Sequence, residues 1–303
     1  MFDWLDPSQH FAVDVTLITT LMVLSVHLVF RAGIFSLASA GFAAIGAYTT
    51  AVLATKEGWS TWPSILAATL LPSVLAVVFA VPVLRLRGIY LALGSIALSE
   101  VIVILIENTE LTNKTLGFIR IPKDVNSNHF VLILAVVFAL LQLHARSHRG
   151  RAVEAVRLDE RTASGLGIDV RRVRTAAFVA SAALAGLAGA LEAHHTTVIG
   201  PENYGMNLLL PLFTYALIGG NNHWLGPVLT CWGLTALRHW WGFDDANWEN
   251  IAYGVLLVVV VLLAPGGLTD PALRRRARAR LARFRGRGSG PIPAPGTVEA
   301  GAT

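Results

Sequence analysis

Nine runs of apolar residues, separated by short polar segments, account for most of the chain. A helix that crosses a bilayer needs about 20 mostly apolar residues, and most of these runs reach that length. The runs cover residues 12–30, 33–54, 62–83, 88–107, 129–145, 174–199, 206–220, 224–241 and 249–264. The pattern predicts an all-α integral membrane protein, a polytopic bundle of about nine (eight to ten) transmembrane helices.

The composition supports a membrane protein and weakens other classes. Of the 303 residues, 54% are hydrophobic and 14% are charged, whereas a soluble domain carries about 25% charged residues. The single cysteine, Cys231, leaves no internal disulfide to form. The net charge of +5 comes from arginines clustered beside apolar runs, which is typical of membrane loops and not of a nucleic-acid surface.

The arginines also predict the orientation of the helices. Eight arginines lie in 146–174 and eight in 274–287. Because cytoplasmic loops carry an excess of Lys and Arg, these two segments are predicted to lie inside, which gives an N-out, C-in topology. The segment 108–128 falls outside in this scheme although it carries three basic residues. The two clusters of eight arginines outweigh these three basic residues, so the N-out, C-in topology is kept as the prediction.

Two domains are predicted from the change in composition near residue 270. Residues 1–270 form the transmembrane domain, with a charged loop at 146–174. Residues 271–303 form a basic, partly disordered tail. Its first part, 274–287, can lie as a helix on the inner leaflet, and its last part is rich in Gly and Pro.

Two of the predicted spans are crowded with small residues. The span 33–54 contains many Gly, Ala, Ser and Thr, and the span 174–199 has Ala182, Gly186 and Ala190 at four-residue spacing. Small residues let helix backbones approach closely in lipid, so both helices are predicted to lie inside the bundle. Either this is packing alone, or the second span lines a transport path with Ser36, Ser39 and Thr49.

Three further residues are candidates for the same path. Glu100 lies inside the fourth span, where a carboxylate must be paired, hydrated or protonated. It either forms a hydrogen bond to a neighbouring helix or lines the path. Pro211, in the seventh span, removes a backbone donor and is predicted to kink the helix. Asn221 lies in the turn that follows.

No metal site or catalytic set is recognisable in the sequence. Glu192 and His195 have the Glu-x-x-His spacing of di-metal bundles, but such sites need a second motif and two more glutamates. An interfacial polar cluster of Glu192, His194 and His195 is the preferred interpretation. The chain also lacks the G-x-x-x-x-G-K-[ST] loop that holds nucleotide phosphates. We therefore predict no enzyme, no metal and no cofactor on this chain.

The segment "GRAVEAVRLDERTASGLGID" (150–169) is charged, although it lies between apolar spans. It is predicted to form one amphipathic helix that stops at Gly165 and Gly167, because glycine favours helix C-termini. A short, rigid helix of mixed charge suits docking into a groove on another protein.

The chain resembles the permease subunits of branched-chain amino acid ABC importers, of the LivM type. The resemblance rests on "SLASAGFAAIGAY" (36–48), "LRLRGIYLAL" (84–93), the long stretch 150–191 and "LVVVVLLAPGGL" (257–268). It implies a bacterial cytoplasmic membrane protein that works with two cytoplasmic ATPase subunits, a second homologous permease and an extracytoplasmic substrate-binding protein. ATP and Mg²⁺ would then bind to the ATPases. The resemblance also implies a coupling helix whose contacts to the ATPase are Glu154, Ala155, Arg157, Asp159, Glu160 and Gly167.

Two departures from the family pattern leave the substrate open. "NNHW" (221–224) replaces a Gly/Ser-rich turn, and "EAHHTT" (192–197) replaces an apolar run. Importers of urea or short amides use the same architecture. An ion-coupled secondary transporter is the other alternative, although such carriers often show internal repeats and paired broken helices, which this sequence does not.

Overall fold

The computed structural model describes residues 7–220 and 223–241, together with residues 254, 255 and 258. These parts of the chain are almost entirely helical. The helices are α1 (Pro7–Arg31), α2 (Ser39–Thr55), α3 (Thr61–Val83), α4 (Ile89–Asn108), α5 (Ser127–Arg146), α6 (His148–Leu158), α7 (Glu160–Gly165), α8 (Val170–Thr196), α9 (Met206–Gly219) and α10 (Leu225–Trp241). Two short strands, β1 (Phe118–Ile119) and β2 (Val198–Ile199), pair antiparallel between the loops.

Eight of the nine predicted spans correspond to helices, but the helices differ in length. In the described part of the chain, five are long and apolar enough to cross a membrane: α1, α3, α4, α5 and α8. Helix α2 has 17 residues, about 26 Å of helix, and α9 has 14. The ninth predicted span, 249–264, and the predicted tail, 271–303, lie outside the described residues, apart from isolated positions of the span.

Helix α2 begins six residues later than the sequence predicts. The chain leaves α1 through Gly33, whose φ of +71° suits a residue without Cβ. It then runs in extended form, and the backbone N–H of Leu37 donates to the Ser95 hydroxyl of α4 at 2.9 Å. This tertiary bond satisfies a backbone donor outside the helix, so residues 33–38 need no helical partner.

Helix α8 lies at the centre of the bundle and packs most extensively against α2, α3 and α1. The backbones of α2 and α8 come unusually close. A Cβ added at Gly46 would lie 2.2 Å from the carbonyl oxygen of Gly186, and one added at Gly189 would lie 2.1 Å from that of Ala43. The small residues therefore serve helix packing within this chain, as the spacing predicts.

Helices α3, α4 and α5 surround this centre and expose large apolar side chains. On α3, Leu66, Val74 and Val78 are each 61% exposed. Surfaces of this kind are unfavourable in water, but they face hydrocarbon in a membrane protein at no cost. The arrangement is that of a helical bundle whose small-residue centre is covered by protein and whose outer face meets lipid.

The two ends of the bundle differ in charge. At the basic end lie Arg31, the α3–α4 turn with Arg85 and Arg87, and the segment from α6 to α7. A Cβ added at Gly33 would lie 3.5 Å from Cα of Arg157, so the turn after α1 contacts α6. At the opposite end, Asp14 of α1 accepts a hydrogen bond from Ser127 of α5 at 2.8 Å, and Asp124 accepts one from Thr61 at 2.7 Å.

Candidate functional site

The segment 150–169 forms two helices at the basic end, so the prediction of a single coupling helix was wrong. Helix α6 ends at Leu158 and α7 begins at Glu160. Asp159 separates them in extended conformation, and its carboxylate accepts the backbone N–H groups of Arg161 and Thr162 at 2.7 and 3.1 Å. An aspartate at this position starts a new helix more readily than it continues an old one.

The pKa of the Asp159 carboxyl lies below its usual value. The backbone hydrogen bonds from Thr162 and Arg161 are the main cause, because they stabilise the charged form. The cap is therefore ionised at neutral pH. Its contribution to the stability of α7 is present above the ordinary pKa of an aspartate and is lost only as the pH falls through the lowered value.

The predicted contact residues differ in their surroundings. Glu154 and Arg157 form an ion pair with each other within α6, and Ala155 beside them is half-buried. Glu160 pairs across the segment with Arg174 of α8. Gly167 is exposed, with a φ of +82°, and ends the segment as the sequence predicts. Asp159, Glu160 and Gly167 thus face solvent, whereas Glu154, Ala155 and Arg157 lie partly against the bundle.

Two exposed leucines are absent from the predicted contact set. Leu158, the last residue of α6, is 75% exposed, and Leu166, the residue after α7, is 74% exposed. They lie outside the five helices that are long and apolar enough to cross a membrane. The sequence does distinguish both leucines, because their neighbours along the chain are charged or small residues. A single continuous helix, however, gives no reason to expect them at an exposed surface.

The segment is firmly joined to the bundle. Val156 and Ala163 are buried, at 2% and 1% exposure, and they anchor α6 and α7. A Cβ added at Gly150 would lie 2.1 Å from the carbonyl oxygen of His144, so the turn from α5 into α6 has no free space. The segment is therefore packed closely against the rest of the bundle.

The serines predicted to line a path lie between helices. The hydroxyls of Ser39 and Ser181 lie 3.3 Å apart and join α2 to α8. Ser36 is buried ahead of α2 and accepts the backbone N–H of Ala38. Thr49 donates to the carbonyl of Ile45 in its own helix at 2.6 Å. The structure therefore brings Ser39 to the α2–α8 contact and does not bring these three side chains together.

Glu100 lies against the start of α9. A Cβ added at Gly205, the residue that precedes α9, would lie 2.9 Å from Oε1 of Glu100. This oxygen is buried and has no hydrogen-bond partner within the described residues. The N-terminus of a helix carries a partial positive charge, which stabilises a carboxylate there. Its lining role stays a prediction.

Near the same place, Tyr204 and Glu192 form a buried polar pair. The Tyr204 hydroxyl donates to Oε2 of Glu192 at 3.0 Å. Burial, followed by the charge of Glu192, raises the pKa of Tyr204 well above its usual value, so the hydroxyl stays protonated and remains a donor. The ring of Tyr48 lies 6.3 Å from that of Tyr204.

In the remaining polar motif, "EAHH", both histidines are buried between helices at the end of the bundle opposite the basic end, and the interfacial position stays a prediction. Nδ1 of His194 lies 2.8 Å from the carbonyl oxygen of Pro122, and its Nε2 lies 3.1 Å from the Thr50 hydroxyl. His195 stacks on Phe11 at 4.9 Å between ring centroids and lies 3.8 Å from Asp14. Glu192 and His195 therefore turn to different partners, and they do not share one site.

Helix α9 is continuous through Pro211, from Met206 to Gly219. A proline removes only one hydrogen bond from the helix, and the kink at Pro211 stays a prediction. Asn221 lies outside the described residues. Trp224, from the unusual "NNHW" turn, donates through Nε1 to Gln142 of α5 at 3.1 Å and thus serves packing at the basic end.

Comparison with known proteins identifies the family. Residues 11–263 match the family described as the branched-chain amino acid transport system permease component. The chain is 31% identical over 280 residues to the high-affinity branched-chain amino acid transport system permease protein LivM of Escherichia coli (strain K12), covering 80% of this chain and 66% of that protein. Its counterpart from Salmonella typhimurium (strain LT2) is 30% identical over 283 residues, covering 81% and 66%.

The chain therefore spans just under two thirds of the length of these relatives. No solved structure matches it at a significant level. The family match extends over most of the chain and includes every long apolar helix described above. This chain belongs to the family of branched-chain amino acid transport system permease components.

Proposed function

We propose that this chain is the membrane-spanning permease subunit of an ABC importer for branched-chain or related amino acids. It takes substrate from an extracytoplasmic binding protein and passes it to the cytoplasm by alternating access. Two separate cytoplasmic ATPase subunits bind ATP and Mg²⁺ and supply the energy. A second, homologous permease completes the pathway across the bacterial cytoplasmic membrane.

The observation that carries this proposal is the exposed, charged α6–α7 segment at the basic end. Leu158 and Leu166 are three-quarters exposed there, on short helices that are anchored in the bundle by buried Val156 and Ala163. Exposed leucines outside the lipid-facing helices favour burial against a protein partner. The arginine-rich end of a membrane protein faces the cytoplasm, where the ATPases are.

Rigid attachment of the segment supports a mechanical role. When the ATPases close on ATP, they move α6 and α7 as a docked unit. The tight turn at Gly150 transmits this motion to α5, and the ion pair between Glu160 and Arg174 transmits it to α8. Because α8 is packed against α2 without free space, α2 follows. Ser39, at the α2–α8 contact, and Glu100, at the start of α9, are the residues whose surroundings change.

The substrate class is taken from the relatives, whose names specify branched-chain amino acids. Urea and short-chain amides are the alternative substrates for an importer of this architecture. An ion-coupled carrier is the alternative mechanism, with Glu100 as the coupling carboxylate. The two mechanisms differ in one requirement, since only the importer needs partner ATPases.

The proposal is tested by co-purification from the native membrane. The tagged chain, extracted in mild detergent, should retain two P-loop ATPase chains and a second permease. In the double variant L158S/L166S the ATPases should be lost, while the second permease is retained. Burial of a leucine contributes about 1.5–3 kcal/mol, so each substitution should weaken ATPase binding at least about ten-fold.

The matched control is Leu116→Ser. Leu116 is 87% exposed but lies in the loop at the opposite end, so this variant should retain both ATPases. Equal retention of the ATPases by L158S/L166S and by the wild-type chain would exclude the α6–α7 segment as their docking site.

A further inference from the structure

A groove of about 860 Å³ opens at the basic end between the end of α3, helix α7 and the start of α8. Its wall on one side is apolar and consists of the last turns of α3, including Val77, Val81 and Leu84. Val77 and Val81 are about half exposed, at 52% and 47%. They belong to a helix long and apolar enough to cross the membrane, so lipid tails have access to this wall.

The other side of the groove is cationic. The side chains that form it are Arg85, Arg87, Arg161, Arg171 and Arg174. Glu160 is the acidic residue among the lining residues, and it is paired with Arg174. The groove therefore carries a strong excess of positive charge next to an apolar surface.

Arg174 is the lining arginine that is already paired. Its guanidinium binds Glu160 through Nη2, and its Nε is buried, so Nε does not face the groove. The other four lining arginines have no further carboxylate among the lining residues. An oxyanion in the groove would neutralise part of this excess charge.

We propose that this groove binds the headgroup of an anionic phospholipid. The phosphate lies among Arg85, Arg87 and Arg174, and one acyl chain runs along α3 over Val77 and Val81. Arginine suits this position because its planar guanidinium forms paired hydrogen bonds to phosphate oxygens. Basic pockets between transmembrane helices at the cytoplasmic side are a general means of recognising anionic lipids.

The shape of the groove favours a lipid over other anions. Free phosphate would use the arginines but leave the apolar α3 wall uncovered. A cytoplasmic protein could reach the arginines, but it could not cover side chains of a membrane-spanning helix. A phospholipid has both parts in the right order, a charged headgroup at the helix end and apolar chains along the span.

The bound lipid would also bridge three elements. It would join the α3–α4 turn to α7 and α8 across the groove. It would thereby stabilise the packing of the α6–α7 segment against the bundle. This inference requires only that the chain is a membrane protein, and it does not depend on the identity of the transported substrate.

The test is lipid binding to the assembled, full-length protein in neutral detergent. Phosphatidylglycerol or phosphatidylcholine is added at equal mole fraction after delipidation, and bound lipid is counted by native mass spectrometry. We expect phosphatidylglycerol to bind at least ten-fold more tightly. Each arginine near a lipid surface contributes roughly five-fold in affinity, so R85Q/R87Q should weaken phosphatidylglycerol binding about 25-fold.

The matched control is R146Q/R149Q. Arg146 and Arg149 are exposed at the same end of the bundle but do not line the groove, so this variant should bind phosphatidylglycerol within two-fold of the wild-type chain. Thermal unfolding establishes that each variant is folded. If R85Q/R87Q does not fold, Arg161→Gln in exposed α7 replaces it, with an expected loss of about five-fold.

Four results would overturn the proposal. They are equal binding of the two lipids, equal losses in R85Q/R87Q and R146Q/R149Q, displacement of phosphatidylglycerol by millimolar inorganic phosphate, and absence of the lipid from the assembled protein when its partner chains are bound. The third would assign the groove to a free anion, and the fourth to a protein partner.

Discussion

At the scale of single residues, the buried polar side chains at the opposite end hold the helices in register. His194 is fully buried and contacts α2 through Thr50, α3 through Ser64 and the loop before α5 through Pro122. Because a carbonyl oxygen only accepts, Nδ1 carries the proton and donates to Pro122. Satisfied buried polar groups of this kind specify one arrangement of the surrounding helices.

Replacing His194 by alanine should therefore destabilise the protein by about 1–3 kcal/mol, because it leaves the carbonyl of Pro122 without its donor. The measurement is thermal unfolding of the purified chain in detergent, followed by size-exclusion chromatography. His148→Ala is the control, since His148 is exposed at the start of α6. Equal stability of the two variants would contradict a bridging role for His194.

The sequence could identify this cluster but could not predict its partners. "EAHH" is conspicuous because polar residues are rare near the end of an apolar span. Its partners lie 72 to 144 residues away along the chain, and no local pattern relates such positions. The same limit applies to Glu100, whose neighbour Gly205 belongs to a loop that is brought to it only by the fold.

At the scale of elements, the break between α6 and α7 changes the shape of the docking segment. Two short helices that meet at Asp159 present Leu158 and Leu166 on a bent surface, whereas one helix would present a straight face. The periodicity of the sequence predicted the helical content and the stop at Gly167. It did not predict the break, because an aspartate inside a charged helix and an aspartate that caps a new one look alike.

Asp159→Ala should loosen α7, whereas Asp159→Asn should preserve it, because asparagine also caps helices and alanine does not. The measurement is hydrogen exchange of the amides in residues 160–165 at pH 7, where Asp159 is ionised. Lowering the pH of the wild-type protein to 5 should leave this protection unchanged, since the pKa of Asp159 is below its usual value. Full protection of these amides in the alanine variant would exclude Asp159 as the cap.

The backbones of α2 and α8 lie so close together that a side chain has no room at Gly46. Gly46→Ala should destabilise the protein by about 1–3 kcal/mol, because the new Cβ would lie 2.2 Å from a backbone oxygen of Gly186 and backbone cannot rotate away. Thermal unfolding of the purified chain is the measurement.

Gly233→Ala in α10 is the matched control for this substitution. A Cβ added at Gly233 meets no atom of the described residues within 4 Å, and alanine favours helix more than glycine does. This variant should unfold at the same temperature as the wild-type chain or slightly higher. A Gly46→Ala variant as stable as Gly233→Ala would show that α2 and α8 are not in contact as described.

At the scale of the whole molecule, the first eight hydrophobic runs each correspond to a described helix, in the predicted order. The run 206–220 already predicted a short helix, and α9 ends at Gly219. The short length of α2 was not predicted. It follows from the late start of this helix, where the backbone of Leu37 finds a partner in Ser95 outside the helix. Interior helices can be short because protein and not lipid surrounds their ends.

Both proposed binding surfaces lie at the basic end of the bundle. The α6–α7 segment presents leucines to a protein partner, and the groove beside it presents arginines to a lipid headgroup. Both depend on the same arginine-rich loops, which the positive-inside rule predicts to lie in the cytoplasm. The permease is thus expected to receive mechanical input at this end and to release substrate there.

The most direct test of this account is leucine uptake into proteoliposomes under two conditions. In one, the chain is reconstituted with its co-purified ATPases, partner permease and binding protein; in the other, it is reconstituted alone with an imposed proton gradient. The account predicts uptake that requires ATP and the complete assembly, and none from the chain alone. Uptake by the chain alone, driven by the gradient and abolished by Glu100→Gln, would contradict the importer and establish an ion-coupled carrier.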